Sequence, residues 1–330
     1  MNESRADTSL RIPRMNSLLV IKPSSLGDIV HGLQVMQIVA RAHPKLRITW
    51  VVRERFAPLV HAAPFIAETI IFRRRDGWPA FMKLIRELRR REFDAVWDMQ
   101  GLLRSGIMTA AAKAAEKWGR PDAREGARFF YSSRVRRPKG EGPHHALEVL
   151  LPFATILGAE PALEFPLQLR NGNTFAWRSF FETDPSRTFV IFTDSRGAGK
   201  EWPHFTSLMT GIFDSIPGSR IAWCAGKPSQ PSFAPPADRW LNLTGCSLEE
   251  MIALVRQPSV FVGNDSGPMH LSAASGNRVL AIFGPTSARR FGPFPLDCPR
   301  HATITAPDGQ LNRLDASTVL AALEELRHRP

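Results

Sequence analysis

A carboxylate placed just behind a tight turn, between an apolar strand and an amphipathic helix, is positioned to take a proton from a ligand. The stretch LLVIKPSSLGDIVHGLQVM, residues 18 to 36, offers that arrangement at Asp28. Leu18 to Ile21 is a short aliphatic run that reads as a buried strand, and Ile29, Leu33, Met36 and Val39 recur at helical spacing. The residues between them form a strand-to-helix turn. In a parallel α/β sheet such a turn lies at the carboxyl end of the strand, where ligands bind and the new helix presents free backbone N–H groups. Asp28 therefore has two readings, a helix N-terminal cap or a general base facing a cleft.

A second constellation is VFVGNDSGPMHLSAASG, residues 260 to 276. A β-branched run ends in Gly-Asn-Asp-Ser-Gly, and Pro268 stands where the first turn of a helix tolerates proline. Amides near Ser266, Gly267 and Met269 then point out of a helix N-terminus, a phosphate site by geometry and dipole, flanked by Asp265 and His270. The following AIFGPTSARRFGP repeats the strand-to-turn pattern, so two adjacent turns could line one pocket. The third is FTDSRGAGKEWP, residues 192 to 203, where Lys200 offers a point charge to a diphosphate. Glu201 follows the lysine, which excludes a P-loop. No Asp-x-Asp pair is present to hold a metal against a nucleotide diphosphate, so cationic side chains and helix termini must neutralise the leaving group.

The elements that must carry these turns alternate. Strand-like runs at 18–21, 47–52, 69–72 and 94–101 are separated by helical patterns near 28–42 and 79–91, followed by a basic loop at 120–143 and a helix near 145–157. After the Pro- and Gly-rich segment GAEPALEFPLQLRNGN a second alternation begins, with strands at 188–194, 220–224, 240–245, 260–265 and 278–284 and helices near 203–215, 247–257 and 268–276. Val319, Leu320, Leu323 and Leu326 lie on one face of a final helix. This order predicts an α/β protein of two Rossmann-like β/α/β domains facing a cleft. The expected divisions are a polar leader (1–17), an N-terminal Rossmann-like domain (18–170), a linker (171–186), a C-terminal Rossmann-like domain (187–314) and the C-terminal helix (315–330).

Composition narrows the function. The 330 residues carry a net charge of +12, and all of the excess falls in the first half: 29 Lys and Arg against 17 Asp and Glu up to residue 180, then 14 against 14. The N-terminal half is expected to meet something anionic, such as a phosphorylated substrate or an acidic membrane surface. Nucleic acid is disfavoured, because the clusters at 73–75, 86–92 and 133–140 contain no interleaved stacking aromatics. No apolar run is long enough to span a bilayer. Cys224, Cys246 and Cys298 form no C-x-x-C pair, which argues against a disulfide framework or a zinc site and fits a reducing cytoplasm. The first 17 residues lack a signal peptide's apolar segment, and Met15 is an alternative start.

In combination, VIKPSSLGDIVHGL, DAVWDMQGLLRSG (94–106), GKEWP (199–203) and VGNDSGPMHLSAASG followed by AIFGPTS resemble the bacterial lipopolysaccharide heptosyltransferases, in the same order and at similar spacings. The resemblance implies a type B glycosyltransferase fold and inverting transfer of heptose from ADP-heptose to a lipid A-linked inner core, with no cofactor and no required metal. It implies Asp28 as catalytic base, and Lys200, Asp265, Ser266, Gly267 and His270 in the donor site. Asp265, being anionic, is expected on donor sugar hydroxyls; His270 is either a phosphate partner or a satisfied structural histidine. The expected acceptor residues are Ser25, Arg73, Arg74, Arg75, Gln100 and Arg124, holding an acidic glycolipid at the inner membrane surface. Two positions depart from the family pattern. No acidic residue occurs between Gly226 and Asp238, where the family commonly places a ribose-binding glutamate, and Arg53 stands where it often shows an acid. The alternatives are a transferase of the same fold using another nucleotide sugar or glycan, and a non-catalytic nucleotide-sugar-binding relative.

Overall fold

A computed structural model describes residues 15–163, 165–170, 175–195, 197, 199–226 and 234–329. The polar leader up to residue 14, residues 227–233 within the segment where a ribose-binding acid was sought, and residues 171–174 of the expected linker lie outside the described residues.

The first sheet contains β1 (Ser17–Ile21), β2 (Arg47–Arg53), β3 (Glu68–Phe72), β4 (Glu92–Asp98), β5 (Lys113–Gly119) and β6 (Ser133–Arg134), all parallel in the order β3-β2-β1-β4-β5-β6. The second contains β7 (Thr188–Phe192), β8 (Arg220–Cys224), β9 (Trp240–Asn242), β10 (Val260–Asn264), β11 (Arg278–Phe283) and β12 (His301–Thr305), in the order β12-β11-β10-β7-β8-β9. Counted within its own half, the second sheet repeats the strand order of the first. Both are the doubly wound Rossmann order, whose switch point falls between the first and fourth strands, β1 and β4 in one sheet and β7 and β10 in the other.

Strands in such a sheet are covered on both faces, which is why they read as unbroken apolar runs. In β1, Leu18 and Val20 join one core with Ile48 and Trp50, while Leu19 and Ile21 join the opposite core with Val51 and Ile70. In β7, Phe189 and Ile191 face one way and Val190 and Phe192 the other.

The helices are α1 (Leu26–Ala42), α2 (Ala57–Ala62), α3 (Gly77–Arg89), α4 (Leu103–Ala111), α5 (Pro152–Thr155), α6 (Phe205–Ser215), α7 (Leu248–Leu254), α8 (Gly267–Ala274), α9 (Ala288–Phe291) and α10 (Ala316–His328). The helix expected near 145–157 is reduced to the four residues of α5. Pro152 has no N–H to give and its ring collides with a carbonyl one turn earlier, so the segment before it runs in three-residue turns such as Leu150 N–H to Leu147 O at 2.8 Å. Strand β5 was missed because KAAEKWG, half exposed near the sheet edge, carries three charged residues and little apolar patterning.

Two helices join the halves. From Leu26 to Val39, α1 is buried at every position except Asp28, as befits a helix enclosed on all sides. Helix α8 sends Met269 and Ala273 into the second sheet's core and Leu271 and Ala274 into the core of the first. Their N-termini meet through glycines. A Cβ on Gly267 would sit 2.6 Å from Leu26 Cβ, and one on Gly27 would overlap the His270 ring. The small residues of the two turns are thus what lets the helices approach.

Candidate active site

The turns after β1, β7 and β10 converge on one cavity of about 510 Å³ between the two sheets. Ser25, Asp28, Lys200, Asp265, Ser266, Gly267 and His270 all line it. Each lies beyond the carboxyl end of a strand at a switch point, where doubly wound sheets bind ligands.

Asp28 occupies the third position of α1, with Ser25 as its N-cap residue. The Ser25 amide and hydroxyl donate to Asp28 Oδ2 at 3.0 and 2.7 Å, so the N-cap residue is Ser25 rather than Asp28, and Asp28 closes a capping box from within the first turn. Its other oxygen is 3.2 Å from Lys22 Nζ. The Asp28 side chain remains 38% exposed toward the cavity, whereas Lys22 is fully buried. Burial alone would raise the Asp28 pKa, but the Lys22 ammonium and the Ser25 hydrogen bonds outweigh it and hold the carboxyl below its usual value. For Lys22, burial is the larger effect and lowers its pKa against the attraction of Asp28. Sequence reading passed over this lysine. Its only signal was a charge at the end of an aliphatic strand, where a solvated residue is the ordinary reading.

The facing wall comes from the second half. Lys200 Nζ lies 2.9 Å from Asp265 Oδ2, an oxygen that also accepts from Thr286 Oγ1 at 2.8 Å. The turn after β11 is thus tied to the turn after β10 at Asp265, although Gly284 to Ser287 are not among the residues lining the cavity. Ser195 Oγ donates to the Asp265 carbonyl at 2.8 Å, and the Trp202 amide donates to Asn264 Oδ1 at 3.1 Å. Trp202 Nε1 is bonded to Leu314 O at 2.8 Å, which anchors the turn that carries Lys200. Ser266 is the N-cap residue of α8, and its buried hydroxyl has no hydrogen-bond partner among the described residues. Phe192, Cys224, Ala225, Cys246 and Met251 supply an apolar flank to the cavity.

Three histidines from distant parts of the chain meet beneath it. His31 Nε2 is 3.2 Å from His270 Nδ1, and the His31 ring lies edge-on to His145 at 5.4 Å. One proton at most fits between the first pair. Burial lowers the pKa of all three, most deeply for His31 and to about 4 for His145, and repulsion from the neighbouring imidazoles adds to it for His31 and His145. His145 is also fixed as a tautomer: Leu147 N–H donates to its Nδ1 at 3.1 Å, and its Nε2 then donates to Gly292 O at 3.0 Å. His270 is 9% exposed, bonded to His31 and part of the cavity lining.

The expected acceptor residues other than Ser25 are absent from the cavity lining. Arg73, Arg74 and Arg75 are exposed beyond β3, and Arg73 pairs with Glu54 at 3.4 Å. Gln100 and Arg124 lie on the opposite side of β1, in loops beyond β4 and β5. Buried Asp98 organises that region, accepting from the Gln100 and Gly101 amides, each at 2.9 Å, and from the Tyr131 hydroxyl at 2.8 Å.

Known proteins share this architecture and its sequence. The profile of glycosyltransferase family 9 (heptosyltransferase) matches residues 81–298. The lipopolysaccharide core heptosyltransferase OpsX of Haemophilus influenzae is 26% identical over 295 residues, covering 84% of this chain and 82% of the relative. The Escherichia coli heptosyltransferase WaaC with ADP superposes with a TM-score of 0.76 at 26% identity, over 94% of this chain and 99% of that one. The same enzyme with ADP-2-deoxy-2-fluoro heptose gives 0.69 at the same identity and coverage. The profile covers well over half of the sequence, in line with the fold and the converging turns, and the chain is a glycosyltransferase belonging to glycosyltransferase family 9 (heptosyltransferase).

Proposed function

We propose that this protein moves a heptose from ADP-heptose to an acidic lipopolysaccharide inner-core acceptor, with inversion at the sugar carbon and without a metal. The observation that carries the reading is the placement of Asp28: an ionised carboxylate facing the Asp265-Ser266-Gly267 turn across a single cavity. The apolar flank of that cavity suits an adenine ring, and ADP and an ADP-heptose analogue are bound by the WaaC relative.

In this mechanism Asp28 takes the proton of an acceptor hydroxyl as its oxygen attacks the anomeric carbon and the diphosphate departs. Lys22 keeps Asp28 charged until then. A base held at low pKa accepts the proton late, when bond formation has already made the hydroxyl acidic. Lys200 is the one Lys or Arg among the described residues lining the cavity. With the amides at the start of α8 it faces the leaving phosphates, and such groups are worth a few kcal/mol in a closed cleft. Asp265 is left for sugar hydroxyls. No helix among the described residues is long and apolar enough to cross a membrane, and the proposed site of action is the cytoplasmic surface of the inner membrane.

The test is Asp28→Asn assayed with ADP-heptose and a deacylated inner-core acceptor. Turnover should fall by about two to four orders of magnitude with ADP affinity nearly unchanged, because a general base acts in the transition state. NMR of the wild-type product should show inverted anomeric configuration. A variant turning over near the wild-type rate would remove Asp28 from the chemistry.

A further inference from the structure

A second, polar concavity of about 580 Å³ opens on the same rim of the first sheet, formed in part by Arg128, Tyr131, Ser132, Ser133, Arg134 and Arg137. Among the described residues, no acidic residue lines it. The nearby acids are already engaged: Asp122 is held by two parallel bonds from Arg120, each 2.8 Å, and Glu125 accepts from the Leu103 amide at 3.3 Å. Among the described residues, none of the three arginines of the pocket has a carboxylate within 4.0 Å. Arg128 instead lies over the exposed Phe129 ring at 4.8 Å. Three unpaired guanidiniums around one hollow repel one another unless an anion joins them, and their planar forks match phosphate oxygens two at a time.

The floor of the pocket is rigid and registered to the catalytic turn. Tyr131 closes it and is tied through its hydroxyl to buried Asp98 at 2.8 Å. Strand pairing places Ile21 beside Asp98, Asp98 beside Gly119, and Gly119 beside Arg134, one row along the carboxyl edge of the sheet. Ile21 leads directly into Lys22 and the turn of Asp28. Three strand spacings put Arg134 about 14 Å from that row's start. One extended glycan lying along the rim can therefore present a hydroxyl to Asp28 and an anionic substituent to the pocket.

We propose that the Arg128, Arg134 and Arg137 pocket is an anion site that takes a phosphomonoester of the glycosyl acceptor, fixing which acceptor hydroxyl reaches Asp28. The assignment rests on the transfer reading above, and its first test does not. Tyr131 is the single tyrosine of the chain, so 3-fluorotyrosine labelling gives one ¹⁹F resonance inside the pocket. With ADP filling the donor cavity and ionic strength held constant, inorganic phosphate should shift that resonance saturably. The double variant Arg134→Ala, Arg137→Ala, at exposed positions, should weaken this binding by about tenfold or more. The same variant should raise the KM for a phosphorylated inner-core acceptor by a similar factor with kcat near wild type, and the difference should vanish on an acceptor stripped of phosphate by a phosphatase.

Absence of a saturable shift in the wild-type protein overturns the anion site. A phosphate shift lost in the variant together with an unchanged acceptor KM overturns the acceptor assignment. Loss of binding to phosphatidylglycerol vesicles in the same variant would then identify a phospholipid headgroup as the occupant. Failure of the wild-type protein to use any inner-core acceptor would refute heptose transfer while leaving the fluorine titration standing.

Discussion

Acidification strains the histidine seam between the two halves, and His145 allows the effect to be sized. This imidazole is 1% exposed, its Nδ1 is occupied by the Leu147 amide, and adding a proton there must expel that donor. Its pKa is about 4 in the fold, against about 6.5 in an unfolded chain. Between those values the unfolded chain binds more protons, so stability falls as pH drops through the unfolded value and levels off only near the folded one. From about pH 7.5 to about pH 5 the linkage relation gives a loss of about 2 kcal/mol for this residue alone. His31 and His270, lowered in the same direction by burial, add to it. Asp28 and Asp122, with lowered pKa values, keep their contributions throughout this range and lose them only at more acid pH. Asp98, whose pKa burial raises, works in the opposite sense in every variant alike. Urea unfolding of the wild type and His145→Gln at both pH values isolates the imidazole: the variant should lose about 2 kcal/mol less on acidification. Equal losses in the two proteins would refute the reasoning.

Two substitutions probe the catalytic turn and the seam. Lys22→Met removes the ammonium that holds Asp28 low, so the Asp28 pKa should rise and the acid limb of the kcat/KM profile should move to higher pH; a limb that stays in place would show that Lys22 does not tune the base. Gly27→Ala drives a methyl into the His270 ring and should lower stability by about 1 to 3 kcal/mol and weaken ADP binding, read by Tm and calorimetry; an unchanged Tm would mean that the two helices separate freely.

The doubly wound architecture and the donor-side turns were legible because buried parallel strands leave unbroken aliphatic runs and each ends in a cluster of small and polar residues. The Asp28 turn could be located on those grounds, although its partner could not. A lysine at the end of a strand carries no mark of being buried, and only the pairing of β1 with β2 and β4 encloses Lys22. The histidine seam was illegible for a related reason. His31, His145 and His270 are more than a hundred positions apart and acquire a common meaning only when α1 docks on α8. Gly27 passed unremarked and Gly267 was read for the donor site, whereas the fold shows that both also admit a neighbouring helix. On the acceptor side the charge pattern marked several basic clusters without showing which of them share one hollow. The arginines at 73–75 stand exposed beyond β3, whereas the hollow forms from Arg128 together with Arg134 and Arg137 of the cluster at 133–140, which only the fold gathers around one space.

The glycine contact between α1 and α8 also acts as a fulcrum. It lies one residue from the base on one side and at the head of the donor turn on the other, so any rocking of one half against the other that preserves it has its axis close to both. A rotation of about 10° displaces an atom in proportion to its distance from the axis. Near Asp28 the shift is small, whereas at β6, about 14 Å out along the sheet, it approaches 2.5 Å. Substrates can thus be admitted and released by swinging the outer edges of the two sheets while the distance between proton acceptor and donor sugar stays nearly constant.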